Sequence, residues 1–128
     1  MPVMSTAQLG NGTSATDITG MTITFTAVAN RRYRIMALCV TQQSGAGAGV
    51  QNLYVRNGAN TIIGSVGGSE ASANFATWVC ITIDTPGAGS VTYKASIITN
   101  ANTVDIACST TQPAILTVED FGPSANPV

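Results

Sequence analysis

The sequence predicts an all-β chain, an antiparallel β-sandwich of jelly-roll type with about eight strands and little or no helix. Three observations carry this. Apolar residues alternate with Thr and Ser in short runs, as in half-buried strands. The runs are separated by clusters of Gly, Asn and Pro. No stretch shows helical periodicity over a dozen residues, and Thr, Val, Ile and Gly stand where helix formers would be needed.

Met21-Thr22-Ile23-Thr24-Phe25-Thr26-Ala27 has the clearest period, with Ile23 and Phe25 facing the core. A turn at Ala29-Asn30-Arg31 leads into Arg32 to Thr41. There Tyr33, Ile35, Ala37 and Cys39 share one face and Met36, Leu38 and Val40 the other, so the strand is expected to be buried on both sides. The same reasoning gives strands at Val50 to Arg56, Thr61 to Val66, Phe75 to Ile83, Ser90 to Thr99, Val104 to Cys108 and Ala114 to Glu119. Turns are expected at Asn57-Gly58-Ala59-Asn60, Thr85 to Gly89 and Asn100 to Thr103, where residues tolerate a positive φ or carry a fixed one. Regular short strands with such turns predict a sandwich or jelly roll. Ser44 to Gly49 and Gly67 to Ser72 are expected as loops, each a solvated hairpin tip with a contact loop as the alternative.

The 128 residues suit one domain. Its parts are expected to be an N-terminal arm over 1–16, a sandwich over 17–121 and a C-terminal tail over 122–128. The arm is small and polar, and the tail holds two prolines.

Charged residues form 9% of the chain against 45% hydrophobic, where a globular domain carries about 25% charge. This is not the composition of disorder. Five basic and six acidic residues are spread thinly over a folded surface of roughly 6,000 Å². A surface so weakly charged is poorly defended against association, which points to burial by neighbouring subunits. A net charge of -1 disfavours nucleic acid as a partner. No run of 18 apolar residues argues for a membrane span, and the first residues lack the pattern of a secretory signal, so synthesis in a cytoplasm is expected.

Catalytic options are narrow. With no histidine, Ser-His-Asp, Cys-His and His-metal sites are ruled out. Lys94 is the one lysine and is expected in a solvated strand position. Asp17, Glu70, Asp84, Asp105, Glu119 and Asp120 supply the carboxylates. Glu119 and Asp120 should point to opposite sides of a strand, and no pair is placed by spacing. A hydrolase reading would use, for instance, Glu70 with Asp84. No Cys-x-x-Cys spacing or Asp-rich calcium loop occurs, so neither metal nor cofactor is expected. Cys39, Cys80 and Cys108 fall in apolar runs and should be buried and reduced.

The one concentration of charge is Arg31, Arg32 and Arg34 around Tyr33. Its functional reading is pairing with a neighbour's carboxylate, Glu119 or Asp120; its bland one is a solvated turn. Trp78 completes the candidate interface, and with Tyr54 it could alternatively offer stacking platforms for a glycan.

Two strings, Ile23 to Ile35 with Arg31-Arg32-Tyr33-Arg34-Ile35, and Pro113 to Pro123 with Val118-Glu119-Asp120-Phe121-Gly122-Pro123, resemble the opening and closing strands of a module found in virion proteins of tailed phages infecting actinobacteria. Ala88 to Ala95 resembles its penultimate-hairpin strand. The resemblance spans about residues 17 to 123. It implies a jelly-roll protein of the virion surface without enzymatic activity. A capsid decoration protein is expected first, a homotrimer on the major capsid protein lattice, because the chain has no heptads, collagen repeat or stalk. A minor tail or fibre-associated protein is the second expectation, and a receptor- or glycan-binding module the third.

Overall fold

A computed structural model describes residues 2–5, 8–44 and 47–124. Their strands are β1 (Pro2–Ser5), β2 (Gln8–Asn11), β3 (Thr16–Ala27), β4 (Arg31–Ser44), β5 (Gly49–Asn57), β6 (Ile62–Glu70), β7 (Phe75–Asp84), β8 (Gly89–Thr99), β9 (Thr103–Ile106) and β10 (Ala114–Pro123). All pairings are antiparallel, and the described residues contain no helix.

Strand β4 organises the first sheet. One of its edges pairs with β7 from Tyr33↔Asp84 to Gln42↔Phe75 without a register break. Its other edge pairs first with β10 and then, past Leu38, with β9. Strands β1 and β2 lie end to end beyond them, on β10 and β9. The sheet is therefore four positions wide, β1/β2, β10/β9, β4, β7, and the second sheet runs β3-β8-β5-β6. These two strand orders are those of two Greek keys folded into two layers, which is the jelly-roll arrangement. The fold class expected from the strand pattern is the one observed.

The core lies between the layers. Ile35, Ala37 and Cys39 of β4, Leu53 and Val55 of β5, Tyr93, Ala95 and Ile97 of β8, and Leu116 of β10 are all fully buried. Phe25 packs its ring against Tyr33 and Tyr93, with centroids 4.9 and 6.0 Å apart. Each of the three cysteines is buried and free. Burial pushes the Cys39 thiol up to about 12, which leaves it a core side chain and no nucleophile at neutral pH.

Turn chemistry matches the sequence. Asn30, Asn60 and Asn102 hold positive φ, and Asn57 Oδ1 accepts hydrogen bonds from the backbone N–H of Ala59 and Thr61 at 3.0 and 2.9 Å.

Four expectations need correction. The arm over 1–16 contributes β1 and β2 and the start of β3, and the tail over 122–128 extends β10 through Pro123, with Gly122↔Arg32 and Pro123↔Arg31 in register. Pairing at these edges uses backbone groups, which small polar residues supply as well as any others. Residues 125–128 lie outside the described set. The Gly67 to Glu70 segment is no hairpin tip but the end of β6, and Glu70 is buried. The loop expected at Ser44 to Gly49 includes residues 45–46, outside the described set, while Ser44 ends β4 and Gly49 opens β5. Finally, β4 is not buried on both sides throughout: Val40 is covered, whereas Met36 and Leu38 are half-buried.

Candidate interaction surface

The first sheet's outer face gathers three of the six interface candidates, Arg32, Arg34 and Glu119. Along β4 the inward side chains are Tyr33, Ile35, Ala37, Cys39 and Thr41, so Arg32, Arg34, Met36 and Leu38 point outward. Register then sets Arg34 between Glu119 and Ile83, Met36 between Thr117 and Ile81, and Leu38 between Ile115 and Val79.

Strand β7 makes this face apolar. Its inward residues include the buried Cys80 and the half-buried Trp78 and Thr82, while Phe75, Val79, Ile81 and Ile83 are 66%, 41%, 60% and 51% exposed. Phe75 to Ile83 contains no charge, proline or glycine. Among the described residues no strand pairs with the far edge of β7. Natural sheets blunt such edges with charges, proline, bulges or covering segments, and β7 shows none of these among its own residues.

The charged cluster splits between two sides of β10, as the adjacency of Glu119 and Asp120 predicted. Arg34 donates from Nε to Glu119 Oε2 at 3.0 Å, and its Nη2 also contacts that oxygen. Arg31 binds both oxygens of Asp120 through Nε, at 3.0 and 2.8 Å. The guanidinium holds the Asp120 carboxyl below the usual range, helped by the Gly122 N–H. Arg31 and Arg32 belong to the strand, not to the turn before it. Arg31 and Arg34 thus find carboxylates within the same chain. Arg32 differs: its Nε is buried with no hydrogen-bond partner, and its guanidinium lies 5.7 Å from the Phe121 ring centre, as that of Arg34 does at 5.5 Å. Beside Asp120 an open cleft of about 280 Å³ is walled by Ile23, Phe25, Tyr33 and Val118.

Trp78 is placed elsewhere. Its Nε1 donates to Thr41 Oγ1 at 2.8 Å and reaches Gln51 Oε1 at 3.3 Å, inside the sandwich. The ring lies over Gly68, where an added Cβ would sit 3.2 Å from it. Tyr54 alternates with the buried Leu53 and Val55 and so points away from the core on the other sheet. Trp78 and Tyr54 therefore form no common stacking platform.

Residues that spacing could not pair are joined by the fold. Asp17 accepts from Lys94 Nζ at 2.8 Å, Ser96 Oγ at 2.6 Å and Arg56 Nη1 at 3.4 Å. Lys94 is thus ion-paired and largely covered, not the solvated side chain the alternation suggested. Burial alone would raise the Asp17 carboxyl, but the bonds from Lys94 and Ser96 and the two cations outweigh it, and it titrates below the usual range. Glu70 and Asp84 lie toward opposite ends of the sandwich. Glu70 meets Thr41, and Asp84 is opposite Tyr33, eight residues away along β4 or about 26 Å. They do not form a catalytic pair. Among the described residues, no group of three His, Cys, Asp or Glu side chains could hold a metal ion.

No family model and no curated protein matches the chain. Among solved structures, the chain is similar to one in the structure of infectious bursal disease virus, Gt strain, at 11% identity and a TM-score of 0.21. The match covers 97% of this chain and 36% of that one, so this chain spans about a third of its length. At that TM-score the likeness carries no weight for fold or function, and the jelly-roll assignment rests on the strand order itself.

Proposed function

We propose that this chain is a non-enzymatic structural subunit of a phage particle, a capsid decoration protein that assembles as a homotrimer on the virion surface. The observation that carries the reading is the outer face of the first sheet. A charge-poor sandwich leaves four large apolar side chains and an unprotected edge strand open on one side, which suits a subunit whose working state is covered by others. The resemblance of Arg31 to Ile35 and Val118 to Pro123 to virion modules supports the same reading. So does the placement of carboxylates and cations in structural ion pairs.

The partners are further copies of this chain and the major capsid protein lattice, with no nucleic acid, membrane or cofactor. The stacking pair that a glycan-binding reading would use is split between the interior and the opposite sheet, so that reading has no support in the geometry. The test is to add purified protein to capsids that lack it and locate it by immunogold electron microscopy. Saturable labelling of heads supports decoration. Labelling confined to tails favours a tail-associated subunit, and no labelling of particles sinks the virion reading.

A further inference from the structure

Resting on that assembly reading, we propose that the outer face of the first sheet, centred on Val79 and Ile81 of β7 and Met36 and Leu38 of β4, is where one copy of this chain packs against another.

Area favours a second copy. Phe75, Val79, Ile81 and Ile83, between 41% and 66% exposed, present on the order of 400 Å² if a large side chain offers roughly 200 Å². The half-buried Met36, Leu38, Ile115 and Thr117 continue the surface between and beside them. Together they supply more than half of the ~800 Å² per partner of a stable protein interface, and they reach the size of the largest patches monomers leave open.

Charge favours the same occupant. The centre of the face is uncharged, so two copies meet there without repulsion. Arg32, Arg34 and Glu119 lie together at one end, and Arg34 engages only Oε2 of Glu119. Among the described residues Arg32 is the one basic side chain with no carboxylate in reach. One copy therefore offers both an unpaired cation and an exposed carboxylate with an open oxygen, a set that a second copy can complete.

The experiment measures mass by light scattering across a concentration range for the wild type, Ile81→Lys, the Val79→Ala/Ile81→Ala double variant and the control Thr26→Lys, which lies exposed on the other sheet. The wild type and Thr26→Lys are expected to be oligomeric. Ile81→Lys is expected to be monomeric with an unchanged circular dichroism spectrum, and the double alanine variant to associate at least roughly tenfold more weakly. Should Ile81→Lys lose its fold, the alanine variant decides, since it only trims exposed side chains. Oligomers that survive both changes overturn this face while leaving the assembly reading intact. A wild type that is monomeric at every concentration overturns both.

Discussion

Thr41 Oγ1 stands between Gln51 Oε1, at 2.6 Å, and Glu70 Oε2, at 3.4 Å, and it also accepts from Trp78 Nε1. A hydroxyl has one proton to give, and the shorter contact identifies Gln51 as its receiver. Glu70 is left poorly satisfied, with Oε1 buried and without a partner. The carboxyl closes one end of the core, where Gln43, Gln51 and Thr99 are also buried.

Burial raises the Glu70 carboxyl above its ordinary value of 4.5, against the smaller lowering by Gln51 and Thr41. The folded state therefore binds the proton more tightly than the unfolded chain. This site favours folding most below pH 4.5, and that contribution is lost as the pH rises through the raised folded value. Glu70→Gln keeps the shape without the charge. It should raise stability at pH 7 by about 1 kcal/mol and reduce the loss seen between pH 4 and 7 in urea titrations. A variant less stable than wild type at pH 7 would show that the carboxylate is better satisfied than its contacts indicate.

Asp17 shows the opposite sign. Its carboxyl is held below the ordinary 3.8, so its contribution is full above that value and is lost as the pH falls through the lower folded one. The side chain is 43% exposed, and solvent screening limits the effect to about 0.5–1 kcal/mol. Asp17→Asn should lower the midpoint of thermal unfolding at pH 7, and the difference from wild type should shrink toward pH 2. A constant difference at all pH values would assign the loss to packing instead of charge.

These two carboxylates mark where sequence reading stops. Strand alternation is local, and Met21 to Ala27 declares its buried side because Ile23 must face inward whenever Thr22 and Thr24 face water. The eight central strands follow from such local patterns. Asp17 and Lys94 are 77 residues apart, and only the β3-β8 pairing joins them. In the sequence Gly67 and Gly68 look like a turn, which would leave Glu70 solvated. In the fold those positions are tight: a Cβ on Gly67 would lie 2.2 Å from Asn52 Oδ1, and Gly68 lies under Trp78. The outer side of β7 is hard to read from sequence for a related reason. Apolar residues on both faces of a strand indicate burial on both, whereas the fold covers only one face of β7 and leaves Val79, Ile81 and Ile83 open.

Gly64 supplies a packing test. It belongs to β6, the edge of the second sheet, and faces Cys80 and Thr82 of β7 across the sandwich. A Cβ there would lie 2.9 Å from Thr82 Cβ and 3.1 Å from Cys80 Sγ, closer than side chains approach. Thr82 cannot retreat freely, because its Oγ1 donates to Ile63 O at 2.8 Å. Gly64→Ala should therefore destabilise by about 1–3 kcal/mol. The double variant with Thr82→Ser, which removes the Cγ2 methyl and keeps the hydroxyl, should recover part of that loss in a double-mutant cycle. Additive effects would place the strain elsewhere.

Tyr93 supplies a test of the opposite end of the core. It is fully buried, and its hydroxyl donates to Asp84 Oδ2 at 2.8 Å, while Asp84 Oδ1 receives the Thr85 N–H at 2.8 Å. Burial first, then the bond and charge of Asp84, push the phenol above its ordinary range, so it stays a donor at any pH the protein meets. Tyr93→Phe preserves the ring contact with Phe25 and removes only the donor. Asp84 is half-buried at the strand end, and water can take the vacated place, so the cost should be about 1 kcal/mol, not the larger penalty of a sealed carboxylate. Asp84→Asn, which keeps an acceptor for the hydroxyl and loses the charge, should cost less than Tyr93→Phe. If Asp84→Asn proves the more damaging in chemical denaturation, the charge itself, and not the hydrogen bond it accepts, stabilises that end of the sandwich.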